Sequence, residues 1–240
     1  MPGVYLTWLE SPQIASPAEA GQFVMVRCGE EPEYPLRRPF SIHQRQGGKI
    51  ALLFNIVGKG TQWLAQRQPG DELDLLGPLG NGFTINPKAR HLLLLAGGIG
   101  IAPLVSLADE ALKRELSVTL LYGTPSAAQL YPHLPKVKIV TATEDGSAGK
   151  KGMITDLLPD FISGADQIFA CGPLPMYRAM AAMPELSNKP VQVSLEVRMG
   201  CGQGICYGCT VKTRNGLKQV CQHGPVFELN DILWDELKEV

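Results

Sequence analysis

The sequence predicts a multidomain β plus α/β chain: an antiparallel β-barrel, then a parallel-sheet α/β domain, then a small C-terminal domain built around cysteines. Three observations carry this prediction. From Val4 to about Phe83 the apolar runs are short and broken by Gly, Pro and charged residues, as in an all-β barrel. His91–Ala96 is a continuous apolar run that enters Gly97-Gly98-Ile99-Gly100-Ile101-Ala102-Pro103 and then a helical pattern. Cys201, Cys206 and Cys209 fall in the order C-x4-C-x2-C among glycines, with a fourth thiol at Cys221. The expected divisions are residues 1–86, 87–193 and 194–240.

Composition narrows the class. The 240 residues suffice for two ordinary domains and an appendage. An apolar fraction of 45% and a charged fraction of 19% are those of a globular chain. Twenty-two basic residues against 23 acidic ones leave a net charge of −1, and the basic residues are scattered, so nothing favours a nucleic-acid partner. Met1-Pro2-Gly3-Val4-Tyr5 lacks the basic start and apolar core of a leader. The run from Leu92 to Ala108 is too short for a bilayer and is broken by Gly97, Gly98, Gly100 and Pro103, so no membrane span is expected. Six cysteines in such a chain point to a reducing compartment and a cytoplasmic location.

In the first division, Val4–Leu9, Phe23–Arg27, Phe40–His43, Ile50–Val57 and Glu72–Leu76 read as strands. Arg37-Arg38-Pro39-Phe40-Ser41 offers more than a strand needs. Pro39 forces an extended approach, the Arg38 fork suits a pyrophosphate, and the Ser41 hydroxyl suits a polar ring edge. The plain alternative is a surface arginine pair before an ordinary strand. Gly58-Lys59-Gly60-Thr61 precedes a short helical run at Gln62–Gln66 with Thr61 as its N-cap, and such an entry leaves N–H groups free for phosphate or simply caps a helix. Asp74–Phe83 is so dense in Gly and Pro that it reads as a rigid connection rather than a strand.

In the second division, strand, glycine turn and helix follow in the order a phosphate loop requires. The fingerprint is G-x-G-x-x-P, with a helix expected over Leu104–Leu116 and Pro103 at its first position. A tight turn that binds nothing is the alternative. Ser117–Tyr122 and Lys138–Thr143 read as further strands, with a short helix at Ile154–Leu158. No Arg or Lys occurs from Tyr122 to Pro135, which favours NAD over NADP because a ribose 2′-phosphate calls for a cation there. Gln167–Ala170 reads as a strand ending in Cys171-Gly172-Pro173, ahead of a helix at Met176–Met183. Loops at the carboxyl ends of parallel strands bind ligands, so Cys171 is placed to line a nicotinamide pocket, the alternative being a small core residue.

The cysteine spacing is that of plant-type [2Fe–2S] ligation. Glycines between the thiols allow a tight turn that aims N–H groups at sulfur. Four thiolates also suit structural zinc, although zinc ribbons use two C-x2-C knuckles and only one is present.

Together, Arg38-Pro39-Phe40-Ser41, Gly60-Thr61, the G-x-G-x-x-P loop, Cys171-Gly172-Pro173 and the cysteine motif ending before Gly224-Pro225-Val226-Phe227 resemble the ferredoxin–NADP reductase superfamily. Within it they resemble the electron-transfer subunits of type B dihydroorotate dehydrogenase, over nearly the whole chain. The resemblance implies a flavin-binding barrel, a Rossmann-like NAD domain and a [2Fe–2S] domain. FAD contacts would fall on Arg38, Pro39, Phe40, Ser41, Leu53, Phe54, Asn55, Gly60 and Thr61. NAD would dock over Gly97, Gly98, Gly100, Cys171, Gly172 and Pro173, and the cluster ligands would be Cys201, Cys206, Cys209 and Cys221. No side chain would act as a general base; Glu196, just before the cluster loop, is a candidate to approach the flavin. The implied partner is an FMN-containing catalytic subunit, in a heterotetramer of two chains of each kind serving pyrimidine biosynthesis. Tyr207 and Met199 are then candidates to meet that partner or to shield the cluster. Two features depart from the family's pattern: members commonly carry a strand before the one at Val4, and Asn55 stands where a basic residue is often found. An NAD(P)H–ferredoxin, sulfide or hydrogenase-linked reductase subunit would use the same parts, and a zinc-stabilised interaction protein would use the four thiols alone.

Overall fold

The structure, a computed structural model, describes residues 1–29, 35–132 and 134–237. The last three residues of the third expected division lie outside that range. The chain opens with β1 (Val4–Glu10), α1 (Pro12–Ala15), β2 (Phe23–Val26), β3 (Arg38–Gln46), β4 (Lys49–Asn55), α2 (Lys59–Ala65) and β5 (Leu75–Leu79). The five strands form one antiparallel sheet in the order β1-β4-β3-β2-β5. Strand alternation gives this sheet two faces. Val24, Val26, Phe40, Ile42, Ile50, Leu52 and Phe54 enclose an interior that Ile14 of α1 and Leu64 of α2 help to fill. Phe23, Met25 and Leu53 point the other way and are buried against the rest of the chain.

Two local expectations change here. The segment expected as a rigid connection contains β5, and Gly77-Pro78 is tolerated within it because β5 is an edge strand. Helix α2 begins at Lys59, so Thr61 is its third residue rather than its N-cap. From that position its hydroxyl reaches back to accept hydrogen bonds from the N–H groups of Val57 and Gly58, at 2.9 and 3.1 Å.

The second part comprises β6 (His91–Gly97), α3 (Ile101–Lys113), β7 (Ser117–Thr124), β8 (Lys138–Thr143), β9 (Lys150–Lys151), α4 (Pro159–Ile162), β10 (Gln167–Cys171), α5 (Leu174–Ala181) and β11 (Val191–Ser194). After it come β12 (Thr210–Thr213), β13 (Gly216–Gln219), α6 (Val220–His223) and β14 (Val226–Glu228). The second sheet runs β14-β11-β10-β6-β7-β8-β9, all parallel except β14 against β11. Strand β14 lies in the last expected division yet completes the sheet of the second. β6 is central because both its faces are apolar: Leu93 and Leu95 join one core, Leu92, Leu94 and Ala96 the other, beneath α3. Strand order reverses around β6, between β10 and β7, which makes the loops after β6 and β10 a topological switch point. Helix α3 starts earlier than the sequence suggests, directly after a 3-10 turn at Gly98–Gly100, so Pro103 is its third residue. The N–H missing there would have had no partner within the helix.

The two parts are locked together by β3 and α3. His43 is fully buried on β3. Its Nδ1 donates to the Ala102 carbonyl of α3 at 2.8 Å, and its Nε2 accepts from the Tyr131 hydroxyl at 2.9 Å. Among the described residues no helix is long and apolar enough to cross a membrane.

Candidate functional site

The cysteine loop has the backbone its glycines predict. Gly202 and Gly204 have φ of 72° and 77°, and Tyr207 has 58°, a region L-residues rarely enter. These turns aim main-chain donors at sulfur. The N–H of Gln203 donates to Cys201 Sγ at 3.3 Å, that of Gly204 to Cys221 Sγ at 3.1 Å, and that of Cys221 to Cys209 Sγ at 3.4 Å. The Gln203 N–H is the main cause that draws the Cys201 thiol down to about 6, while burial followed by the adjoining Cys209 pushes Cys221 up to about 12. The thiols thus lie close enough to act on one another: Cys201 beside Cys206, and Cys221 beside Cys209 and within reach of Cys201. Among the described residues no three His, Cys, Asp or Glu side chains gather as ligands of one ion would. Four thiols under main-chain N–H donors fit a two-iron centre, which Cys201, Cys206, Cys209 and Cys221 would hold. Cys209 and Cys221 are buried, Cys206 is exposed and Cys201 lies between. Tyr207 and Ile205 project into solvent beside them, but Met199 is buried in the core and is no surface contact.

This loop is seated on the barrel. Asn81 Nδ2 donates to the Gln222 carbonyl at 3.2 Å, and the Asn81 N–H donates to the Gly224 carbonyl at 2.6 Å. Thus the chain just after Cys221 is held by the segment that follows β5.

On the outer face of the barrel, register gathers the other expected residues. Phe23 pairs with Ser41 and Met25 with Pro39, so these side chains share a face with Leu53. Phe40 and Phe54 do not join them. Both turn into the interior, where their rings meet edge-on at 5.4 Å and 68°, so only their main chain borders the outer face. Leu53 is buried with Ile101 of α3, and Asn55 is half-buried at the end of β4. At the start of β3 Arg38, opposite Val26 and so on the side that bears Phe40, lies across the first turn of α2: a methyl on Gly60 would stand 3.6 Å from Arg38 Nε. A guanidinium beside helical N–H groups suits a pyrophosphate.

The glycines of the β6 turn divide by role. A methyl on Gly97 would meet Pro173 Cδ at 2.7 Å, and one on Gly100 would meet the Cys171 carbonyl oxygen at 2.1 Å. These two let the β6 and β10 loops touch main chain to main chain. Gly98 differs: φ is 55° and nothing lies within 4 Å of an added methyl, so its backbone is open to a ligand.

Cys171 is fully buried, so its side chain does not line an open pocket; the alternative of a small core residue describes it better. Its Sγ lies 3.9 Å from Glu196 Oε1 and donates to it. Burial, and then the Glu196 charge, push the thiol well up. Glu196 reaches solvent, yet desolvation raises its carboxyl above the ordinary value, as for a group lining a recess rather than a convex surface. Beneath them the Tyr177 hydroxyl donates to the Ser194 carbonyl at 2.6 Å and accepts from the Gly172 N–H at 2.9 Å, fixing the β10 loop. Sequence reasoning gave no role to Tyr177, Ser194, His43 or Met25. They look like core residues in the chain, and only their partners, far away in sequence, distinguish them.

Comparison with known proteins agrees with this layout. A family model for the iron–sulfur cluster binding domain of dihydroorotate dehydrogenase B matches residues 196–233, and one for an oxidoreductase NAD-binding domain matches residues 94–182. The chain is 39% identical to the dihydroorotate dehydrogenase B (NAD(+)) electron transfer subunit of Desulforamulus reducens, covering 98% of this chain and 94% of that one. The corresponding subunit of Bacillus caldolyticus is also 39% identical, over 90% of this chain and 87% of its own. Among solved structures, an NADH-dependent reduced ferredoxin–NADP oxidoreductase superposes with a TM-score of 0.87 at 30% identity, covering 98% of this chain and 87% of that one. A ferredoxin–NADP+ reductase from Plasmodium falciparum, 12% identical over 79% of this chain and 88% of its own, has a TM-score of 0.61 and shares the fold. The chain belongs to the family of dihydroorotate dehydrogenase B (NAD(+)) electron transfer subunits.

Proposed function

We propose that this chain carries electrons from the FMN of a separate dihydroorotate-oxidising catalytic subunit to NAD+, as the electron-transfer half of a two-plus-two heterotetramer in pyrimidine (UMP) biosynthesis. The observation that carries the reading is a set of thiols under main-chain N–H donors, packed through Met25 against the barrel face that bears Pro39 and Ser41. When bound, a [2Fe–2S] cluster supplies one-electron exchange and FAD joins it to the two-electron hydride chemistry of NAD.

The chain's own residues do the rest. Cys201, Cys206, Cys209 and Cys221 hold the irons, and the N–H groups of Gln203, Gly204 and Cys221 stabilise the thiolates. Arg38 with the first turn at Gly60 and Thr61 holds the flavin pyrophosphate; Pro39, Ser41, Leu53 and Asn55 with the main chain of Phe40 and Phe54 border its ring. Gly98 lets the dinucleotide approach the main chain, with Gly97 and Gly100 setting the loop contact to Cys171, Gly172 and Pro173. Residues 1–86, 87–193 and 194–240 serve flavin, nucleotide and cluster in turn. All six cysteines are free of disulfides, which suits a cytoplasmic setting.

The test is reconstitution. The chain, purified with its catalytic partner, is expected to show flavin and [2Fe–2S] absorption and to reduce NAD+ with dihydroorotate. A complex replete in both cofactors that reduces ferredoxin but gives no dihydroorotate-dependent NADH would sink the pyrimidine reading. A colourless chain containing zinc would sink the redox reading altogether.

A further inference from the structure

We infer that Met25 is the positioning residue that sets the spacing between the cysteine loop and the flavin-facing side of the barrel. The inference rests on the cofactor assignments just given. Met25 sits on β2 between β3 and β5, with Pro39 opposite on one side and Leu76 on the other. It is fully buried, yet it points away from the barrel interior into the core it shares with Cys209, Val211, Val220 and Cys221. It therefore touches both halves of the proposed electron route: Pro39 borders the flavin ring, and Gly202 follows the first cluster ligand.

The contact with Gly202 is tight. A methyl on Gly202 would stand 2.5 Å from Met25 Cγ and 3.2 Å from its Sδ, with Leu79 Cδ1 also at 3.2 Å. The volume a side chain would take at position 202 is thus filled by Met25, reaching across from another part of the chain. Gly202 is required a second time by its φ of 72°. Leu79 shares the contact, but it belongs to the edge strand and is only half-buried. Met25 lies on the inner strand, directly beside the Arg38–Ser41 segment. An unbranched thioether is suited to filling a gap of irregular shape, and close packing leaves no slack for the loop to move while Met25 stays in place.

A shorter side chain leaves a gap on this line of contact. The cysteine loop then loses its fixed distance from the flavin face, and one-electron exchange slows while hydride exchange with NADH, which does not pass through this contact, is unchanged. The experiment uses the cofactor-loaded complex with its catalytic partner. NADH delivers a hydride to the flavin, followed as flavin bleaching in stopped flow. The flavin then gives up one electron to the oxidised cluster, followed by freeze-quench electron paramagnetic resonance. Met25→Ala is expected to leave flavin bleaching unchanged, to keep full iron and flavin content, and to slow cluster reduction by roughly tenfold or more, as displaced reacting groups do. Met25→Leu, close in volume, is expected to restore the wild-type rate. Should Met25→Ala fail to fold, Met25→Val, shorter but suited to a strand, carries the same comparison. Equal cluster-reduction rates in the wild type and the shortened variants would overturn the inference, as would loss of iron from them with flavin retained, since Met25 would then maintain the cluster and not its spacing. A wild-type complex without flavin or cluster would instead refute the proposed function.

Discussion

Gly100→Ala separates the packing role of the β6 turn from its binding role. Gly100 has φ of −59° and ψ of −9°, so alanine suits its backbone and only the added methyl matters. That methyl would stand 2.1 Å from the Cys171 carbonyl oxygen, 2.4 Å from its carbon and 2.8 Å from the Gly172 nitrogen. Every obstacle is main chain, so no rotamer change relieves it. The β6 and β10 loops must part by about 1.3 Å to reach ordinary contact. Both are anchored by neighbouring strands, β10 and β6 pairing through Cys171 and Ala96, so the parting costs about 2–3 kcal/mol, at the upper end for overpacked cores. For a chain of this size that is a fall of about 4–12 °C in melting temperature. Gly98→Ala is the control: φ of 55° imposes about 1–2 kcal/mol of strain, but nothing lies within 4 Å. The assay is thermal melting of the flavin-loaded protein beside titration with NADH. Gly100→Ala should lose stability and NADH affinity together, whereas Gly98→Ala should lose NADH affinity with a smaller melting shift. A Gly100→Ala protein that melts with the wild type would show that the loop contact is slack and refute the packing assignment.

Cys206→Ser, at the exposed member of the four thiols, should abolish [2Fe–2S] absorption and dihydroorotate-dependent NAD+ reduction while leaving flavin content and NADH-driven flavin bleaching intact. Tyr177→Phe keeps the ring stacked on Trp234, with centroids 5.1 Å apart, but strands the Gly172 N–H and the Ser194 carbonyl. A loss of about 1–3 kcal/mol is expected, read by melting, with weaker NADH binding read by titration. His43 is held neutral, its pKa lowered from 6.5 chiefly by burial. Between its folded value and 6.5 the unfolded chain binds more protons than the folded one. Stability therefore rises with pH through that window and falls as pH drops below about 6.5. Melting followed across this range should show a shallower acid loss in His43→Gln than in the wild type.

How much of this was legible in the chain depends on how local each cause is. β6 was legible because burial on both faces leaves an unbroken apolar run, and the cysteine loop because its glycines and first three thiols lie within nine positions. β5 was only half legible: Glu72–Leu76 reads as a strand, but Gly77-Pro78 reads as a turn until the edge position is known, so the run from Leu75 to Leu79 is missed. The starts of α2 and α3 were set late by Thr61 and Pro103, each a residue that suits several positions of a first turn. Phe40 and Phe54 were expected to meet a ligand alongside Ser41 and Leu53, yet adjacent residues of a strand face opposite ways. Which set faces inward is fixed by the other layer, not by the segment itself. Cys171 and Glu196 lie 25 positions apart, and only the pairing of β10 with β11 brings their segments side by side.

The same strand alternation explains how one short segment can serve three parts of the molecule. Along β3, Phe40 and Ile42 fill the barrel, while Pro39, Ser41 and His43 share the opposite face. On that face Pro39 adjoins Met25 and through it the cysteine loop; His43 is bonded to α3 and Tyr131 on the nucleotide side. Ser41 lies between them. A displacement of β3 would alter both distances at once, so the barrel's buried interior fixes the relative positions of sites it does not itself contain. That gives the interior substitutions a distinguishing signature. Ile42→Val, deleting one buried methylene for about 0.5–1.5 kcal/mol, should lower melting while cluster reduction and NADH binding change together if at all. Met25→Ala should slow the first alone and His43→Gln weaken the second alone.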